Sequence, residues 1–260
     1  MKNPYKHIIE DSKWFKRVFK NVPHVPIALP PDIKRQQERI ADRIQEIPKE
    51  FRELSIELAK RGWYLNMDMP FKFLFSLRGV LKANKPKKID ATLMDYVEYS
   101  VEKIENEVLS VFPKRAQILS AAFRAHSQKA YTLSVPVFLA QADGICSELL
   151  GVSLYARSKG VPHTASTVER FKNDELLSSL LEPLRIAGAL NAYPNEKHEY
   201  RDILNRHEIL HGKSLDYATE LNSFRAISLL SYLCSVVQGA FWFEEVEEEM
   251  KEFRKQQPKS

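Results

Sequence analysis

The sequence predicts an all-α protein, and three observations carry that prediction. Glycine is scarce, 8 residues against 14 prolines in 260, which disfavours strand-rich architectures that turn on glycine. Segments alternating valine or threonine with polar residues are few. Apolar residues instead recur every three or four positions along most of the chain, which gathers them on one face of a helix. Hydrophobic residues make up 44% and charged residues 28%, the balance of a soluble globular chain able to bury a substantial core.

Residues 1–30 join a basic aromatic segment (Trp14 to Lys20) to a proline-rich one (Pro23, Pro26, Pro30). Prolines at that density hold a chain extended, so an arm is expected here. A helix is expected from Pro31-Asp32, with Ile33, Ile40, Ile44, Ile47, Phe51, Leu54 and Leu58 on one face, Pro48 as a kink or break, and Arg61-Gly62 as its end. Trp63 to Pro70 reads as an aromatic connector, either packed or exposed as a platform for bases. Lys82 to Lys88 reads as a basic loop; its Lys82, Lys85, Lys87 and Lys88 could track a phosphate backbone. Ile89 to Phe112 is predicted as an amphipathic helix ended by Pro113, and another begins at Lys114-Arg115 and carries Ile118, Leu119, Ala122 and Phe123.

Ser134-Val135-Pro136 has the form of a helix start, Ser capping and Pro in the first turn. Val135, Phe138, Leu139, Ala142, Ile145, Cys146 and Leu149 then form one apolar stripe, with Asp143 on one edge and Gln141 and Glu148 on the other. A loop is expected at Gly160-Val161-Pro162, a helix over Asp174 to Leu190 weakened at Pro183, and a turn over Ala192 to Glu199. A motif helix is predicted from Tyr200 to His211, with Gly212 as its stop, and a last helix from about Thr219 into the acidic run Glu244 to Glu249. Ala226 to Phe243 is uncharged and reaches the ~18 residues of a membrane span, but Ser228, Ser231, Ser235 and Gln238 interrupt it, so a buried core helix is expected. Met1 to Pro4 opens no signal peptide, and Cys146 and Cys234 lack metal-ligand spacing. Buried thiols in a reducing cytoplasm account for them. A net charge of +5 permits an anionic partner without requiring one.

Chemistry is concentrated in Leu204-Asn205-Arg206-His207-Glu208-Ile209-Leu210-His211-Gly212. Two signatures overlap there. His207-Glu208-x-x-His211 puts two imidazoles about 40° apart round a helix, where both can reach one zinc ion while Glu208 acts as base. That reading needs a third ligand, and Ser214, Tyr217 and Ser231 occupy the downstream positions that would supply it. Arg206-x4-His211 separates its residues by about 7.5 Å and ~140° on an ideal helix. A distorted helix end, or two copies meeting across a symmetry axis, would bring both to one phosphate. Histidine would then move the proton of a ribose 2′-hydroxyl and arginine would steady the phosphorane, with no metal and no cofactor. The third reading is structural: two helix-end histidines beside a solvated arginine.

Asn205-Arg206-His207-x3-His211-Gly212, followed by Asp216-Tyr217-x-Thr219-Glu220-x-Asn222-Ser223 and an apolar helix, resembles the end of a HEPN domain. HEPN domains are helical bundles of toxin-antitoxin and abortive-infection systems, and many dimerise into metal-independent ribonucleases. The resemblance spans roughly Lys114 to Trp242 and implies a HEPN-like bundle over 114–254; the N-terminal helical region over 1–113 departs from the minimal domain and takes no role from it, and a disordered tail is expected over 255–260. It implies a cytoplasmic homodimeric endoribonuclease of toxin or phage-defence type, acting on RNA, with an antitoxin or other regulatory protein as a further partner and no membrane. Arg206 and His211 would be catalytic, His207 and Asn205 would assist, and Asp143 would be the acid contributed by an earlier helix, with Glu148 and Gln141 auxiliary. An inactive HEPN-like module that binds RNA or protein is the alternative, and a zinc peptidase through His207 and His211 the second.

Overall fold

Helices built from these apolar stripes pack together in a computed structural model that describes residues 46–188, 191–192 and 204–241. The arm expected at 1–30, the helix start at Pro31, most of the turn expected over Ala192 to Glu199, the acidic run from Glu244 and the tail 255–260 lie outside those residues. Among the described residues the chain is helical apart from connecting segments and one two-stranded hairpin.

Helix α1 (46–59) buries Phe51, Leu54 and Leu58. The connector after it is packed, as its aromatics allowed: Trp63, Tyr64 and Leu65 are buried, and Trp63 Nε1 donates to Asp90 Oδ1 at 2.7 Å. Helices α2 (Phe71–Lys82) and α3 (Pro86–Val111) follow. The expected basic loop is therefore mostly helix. Lys82 closes α2 and Lys87 and Lys88 lie in the first turn of α3, because Pro86 starts that helix three residues before Ile89, its fixed φ and missing N–H suiting the first position. All the lysines of this corner are exposed.

A 3₁₀ turn (Pro113–Arg115) leads into α4 (Ala116–Ser127), which buries Leu119, Ala122 and Phe123 but leaves Ile118 49% exposed. Helix α5 runs Tyr131–Leu150 and so begins three residues before the Ser134 cap read from sequence. Ser134 is instead buried, its Oγ 3.0 Å from Ser223 Oγ. Pro136 thus lies inside the helix, where it has no N–H for the carbonyl four residues back. That carbonyl, of Thr132, accepts the Tyr217 hydroxyl at 3.0 Å. Tyr217→Phe is expected to lower stability by about 0.5–1 kcal/mol; in Pro136→Ala, where the backbone can supply the missing donor, the same change should cost less. Chemical denaturation of the four chains checks both.

The segment expected as a loop forms a hairpin of β1 (Arg157–Ser158) and β2 (Val161–Pro162), joined by Lys159 and Gly160. Both turn residues have positive φ, 50° and 81°, the two-residue turn that matches strand twist and for which glycine carries no steric penalty. Short helices α6 (Thr164–Val168) and α7 (Glu175–Leu180) come next, α7 capped by the Asp174 side chain. The helix predicted to reach Leu190 stops at Leu180, and a 3₁₀ turn over Glu182–Leu184 replaces it at Pro183. Likewise the motif helix is a single turn, α8 (Arg206–Leu210), rather than Tyr200 to His211.

Thr219 caps the last described helix, α9 (Glu220–Tyr232), which continues through a π turn (Leu233–Val237) to residue 241. Two helices, Tyr131–Leu150 and Glu220–Phe241, are long and apolar enough to cross a membrane by length and composition alone. The second is 83% buried over its most apolar window, and the core of this bundle accounts for its composition. Its serines are used inside the protein: Asn66 Nδ2 donates to Ser231 Oγ, and Met67 N to Ser235 Oγ. Helix α9 packs on both α3 and α5, and α4 packs on α5 and α3. One hydrophobic cluster runs from Phe51 to Ala240, continuous across the division expected at 113.

His126 joins three helices of this core, with Nδ1 2.8 Å from Ser223 Oγ, itself beside Ser134. Burial lowers its pKa from the ordinary 6.5, with Glu220 opposing. The unfolded chain therefore binds this proton more readily, so the contribution is fully present above pH 6.5 and is lost as pH falls toward the folded value. Urea unfolding at about pH 7.5 and about pH 5.5 should show that loss, and His126→Gln should diminish it. Undiminished pH dependence in His126→Gln would assign it to other groups.

Candidate functional site

The one-turn helix α8 is fixed at both ends by its own sequence. Asn205 is its N-cap, accepting on Oδ1 from the amides of His207 at 3.0 Å and Glu208 at 3.4 Å. This satisfies two of the amides a helix start leaves without partners. The cap sets the start at Arg206 and corrects the longer helix drawn from sequence; residues 200–203 lie outside the described residues. His211 is the C-cap residue, and Gly212 follows with φ of 68°, a conformation open to glycine. Past it, the amides of Lys213 and Ser214 both donate to the Glu208 carbonyl. Leu204 and Ile209 are buried and seat the turn against α5.

The short turn changes how the motif side chains meet. The His207 and His211 rings lie 4.4 Å apart at 57°, so the two histidines form a pair. Arg206 leaves in another direction, its guanidinium carbon 4.7 Å from the centre of the Tyr155 ring. Among the described residues Arg206 has this ring contact and neither ion pair nor hydrogen bond. Arg206 and His207 are half-buried and His211 is exposed. Burial first, then the positive surroundings of His211, Lys213 and Arg206, hold His207 below the ordinary 6.5, against the pull of Glu208.

Tyr155 was not legible from the sequence, since it falls in an irregular stretch without periodicity and a ring-to-guanidinium contact leaves no spacing signal. It is 3% exposed, and its hydroxyl donates to the Leu139 carbonyl of α5 at 2.7 Å. Burial, with Asp143 adding to it, pushes this phenol well above its usual range. It is therefore a neutral ring at physiological pH.

Asp143 lies on the same side of α5 but takes hold of a different group. Its Oδ1 accepts from Ser153 Oγ at 2.7 Å and from Leu154 N at 2.8 Å, and Ser153 Oγ accepts from Tyr155 N at 3.3 Å. The carboxylate thus anchors the 153–155 turn beneath Arg206. Gln141 and Glu148 turn away from the motif to Arg115, which donates to Gln141 Oε1 at 2.9 Å and pairs with Glu148 at 3.1 Å. Lys82, Lys85, Lys87 and Lys88 stand at the α2–α3 corner, and none is among the charges that perturb His207.

This arrangement offers an arginine fork with no hydrogen bond or ion pair to another described residue, two adjacent imidazoles, and a neutral aromatic floor. His207 and His211 could contribute two ligands to a metal ion. Among the described residues no group of three or more histidine, cysteine, aspartate or glutamate side chains could hold one, so zinc binding there has no third ligand to draw on within them. No protein-family model, curated protein or solved structure matches this chain.

Proposed function

We propose that this chain is a metal-independent endoribonuclease of the HEPN kind, working as a homodimer in which the α8 turns of two copies line one cleft. The observation that carries the reading is Arg206: a half-buried guanidinium seated on Tyr155, with no hydrogen bond or ion pair to another described residue, next to a paired His207 and His211. A phosphodiester offers that fork two oxygens to accept from it. His207, held below its ordinary pKa, is neutral at pH 7 and fit to take the 2′-hydroxyl proton. The 2′-oxygen then forms its bond to phosphorus as the bond to the 5′-oxygen breaks, and His211 returns a proton to that leaving oxygen. Arg206 carries the charge that gathers on the phosphoryl oxygens in between. Asn205 serves by setting where α8 starts. The RNA substrate, the dimer and any antitoxin or phage-defence setting rest on the resemblance of the motif.

The test is an incubation of the full chain with single-stranded RNA in the presence of a chelator. Fragments ending in a 2′,3′-cyclic phosphate are expected, with none from 2′-O-methyl RNA of the same sequence. Cleavage of the 2′-O-methyl strand would refute the mechanism. A second reading, a module that binds RNA or protein without cutting, is favoured by one observation, the commitment of Asp143 to the 153–155 turn. It predicts RNA retained on the protein with no cyclic product.

A further inference from the structure

The partners of Asp143 and Tyr155 form a chain of contacts that ends on Arg206. Asp143 holds Ser153 and Leu154, Ser153 holds the amide of Tyr155, and the Tyr155 hydroxyl is tied to Leu139 one turn back on α5. Each tie fixes a different atom of Tyr155: its backbone at one end and the far tip of its ring at the other. A buried ring held at both ends cannot follow a moving side chain, so the guanidinium stacked on its face takes its position from the ring. Without that face an arginine on a one-turn helix has several rotamers open to it.

We propose that Tyr155 is a positioning residue that seats Arg206 for a phosphodiester, and that Asp143 acts through it as the anchor of the 153–155 turn rather than as an acid in the reaction. The proposal rests on the ribonuclease reading for its ligand, RNA, and on geometry alone for the seat. It gives Asp143 a role its charge does not define. Both hydrogen bonds it accepts go to Oδ1, and an amide oxygen in the same place can accept them too.

Two measurements separate the seat from the ligand. In the full chain, the Arg206 side-chain N–H resonance, assigned by its disappearance in Arg206→Ala, should be shifted upfield by the Tyr155 ring current. The shift should survive in Tyr155→Phe and vanish in Tyr155→Leu; an unmoved resonance in a folded Tyr155→Leu chain overturns the seat, whatever RNA does. Binding of uncleavable 2′-O-methyl RNA should weaken by roughly tenfold in Tyr155→Leu, the scale of a partly desolvated cation–π contact, and by much less in Tyr155→Phe. In an Arg206→Ala background Tyr155→Leu should add no further loss. A full additional loss would mean that Tyr155 supports the fold and not Arg206, and would overturn the proposal. Should Tyr155→Leu fail to fold, Asp143 carries the test: Asp143→Asn should keep both the Arg206 shift and RNA binding, while Asp143→Ala should lose part of each. Equal loss in Asn and Ala variants refutes the anchor. Absence of RNA binding by the unaltered chain refutes the proposed function, and the resonance still decides the seat.

Discussion

Arg206→Ala and His211→Ala are each expected to lower RNA cleavage by about 10²–10⁴-fold, the range for removing a proton-transfer group or a donor to developing charge. Circular dichroism and thermal unfolding should be nearly unchanged, since neither side chain has a hydrogen bond or ion pair within the described residues to lose. Both variants should also change the pH profile, because His211 and Arg206 are both among the charges that lower the His207 pKa. His207 lies below its ordinary 6.5, so if it is the base, the acid limb of kcat/KM lies below 6.5 as well and activity persists into mildly acidic buffer. Arg206→Ala removes a fixed charge near His207, one of the causes of its lowered pKa, so what activity remains should show that limb moved upward. Full cleavage by His211→Ala would end the proposed mechanism, and an unmoved limb in Arg206→Ala would remove His207 from the role of base.

The parts of this protein that were legible in its sequence are those where one periodic face meets one core. The stripe on α5 is the clearest case: Val135, Phe138, Leu139, Ala142, Ile145 and Cys146 are all 0% exposed. The packed connector at Trp63 and the start of the last helix near Thr219 were also readable, because burial of tryptophan and a threonine before a helix depend on residue type. Helix ends were less readable where tertiary contacts overrode a local signal. Ser134-Val135-Pro136 looks like a start, yet Ser134 is drawn inward by Ser223 and Tyr217 takes the carbonyl that Pro136 leaves over, so the helix extends back to Tyr131. At the α8 turn, sequence marked the residues that carry charge and missed the ring that Arg206 lies against. Tyr155 is neutral, aperiodic and far from α8 along the chain, and only the fold brings it under Arg206.

The largest expected loss of stability lies away from the motif, at Asp90. Its Oδ1 accepts from the indole N–H of Trp63, a residue with no exposed surface, and from Nη2 of Arg225, 5% exposed, at 3.3 Å. One carboxylate thus fastens the connector to α3 and α3 to α9. Asp90→Ala removes one partner of the Arg225 guanidinium and the acceptor of the Trp63 indole, and should cost about 2–3 kcal/mol, or roughly 5–10 °C in Tm for a chain of this size. Asp90→Asn keeps an acceptor oxygen and should lose less. Removing the charge from both sides, as Asp90→Leu with Arg225→Met, should be milder than Asp90→Ala alone, because part of the penalty belongs to a buried charge that loses one of its partners; a double variant as unstable as Asp90→Ala would show that packing, not charge, sets the cost. The consequence reaches the site by a short path. Arg225 follows the Thr219 cap by less than two turns, and Asn222 and Tyr217 tie that cap to the loop after Gly212. Asp90→Ala should therefore lower the temperature at which RNA cleavage fails while leaving its pH limb in place below that temperature, the reverse of the pattern expected for Arg206→Ala.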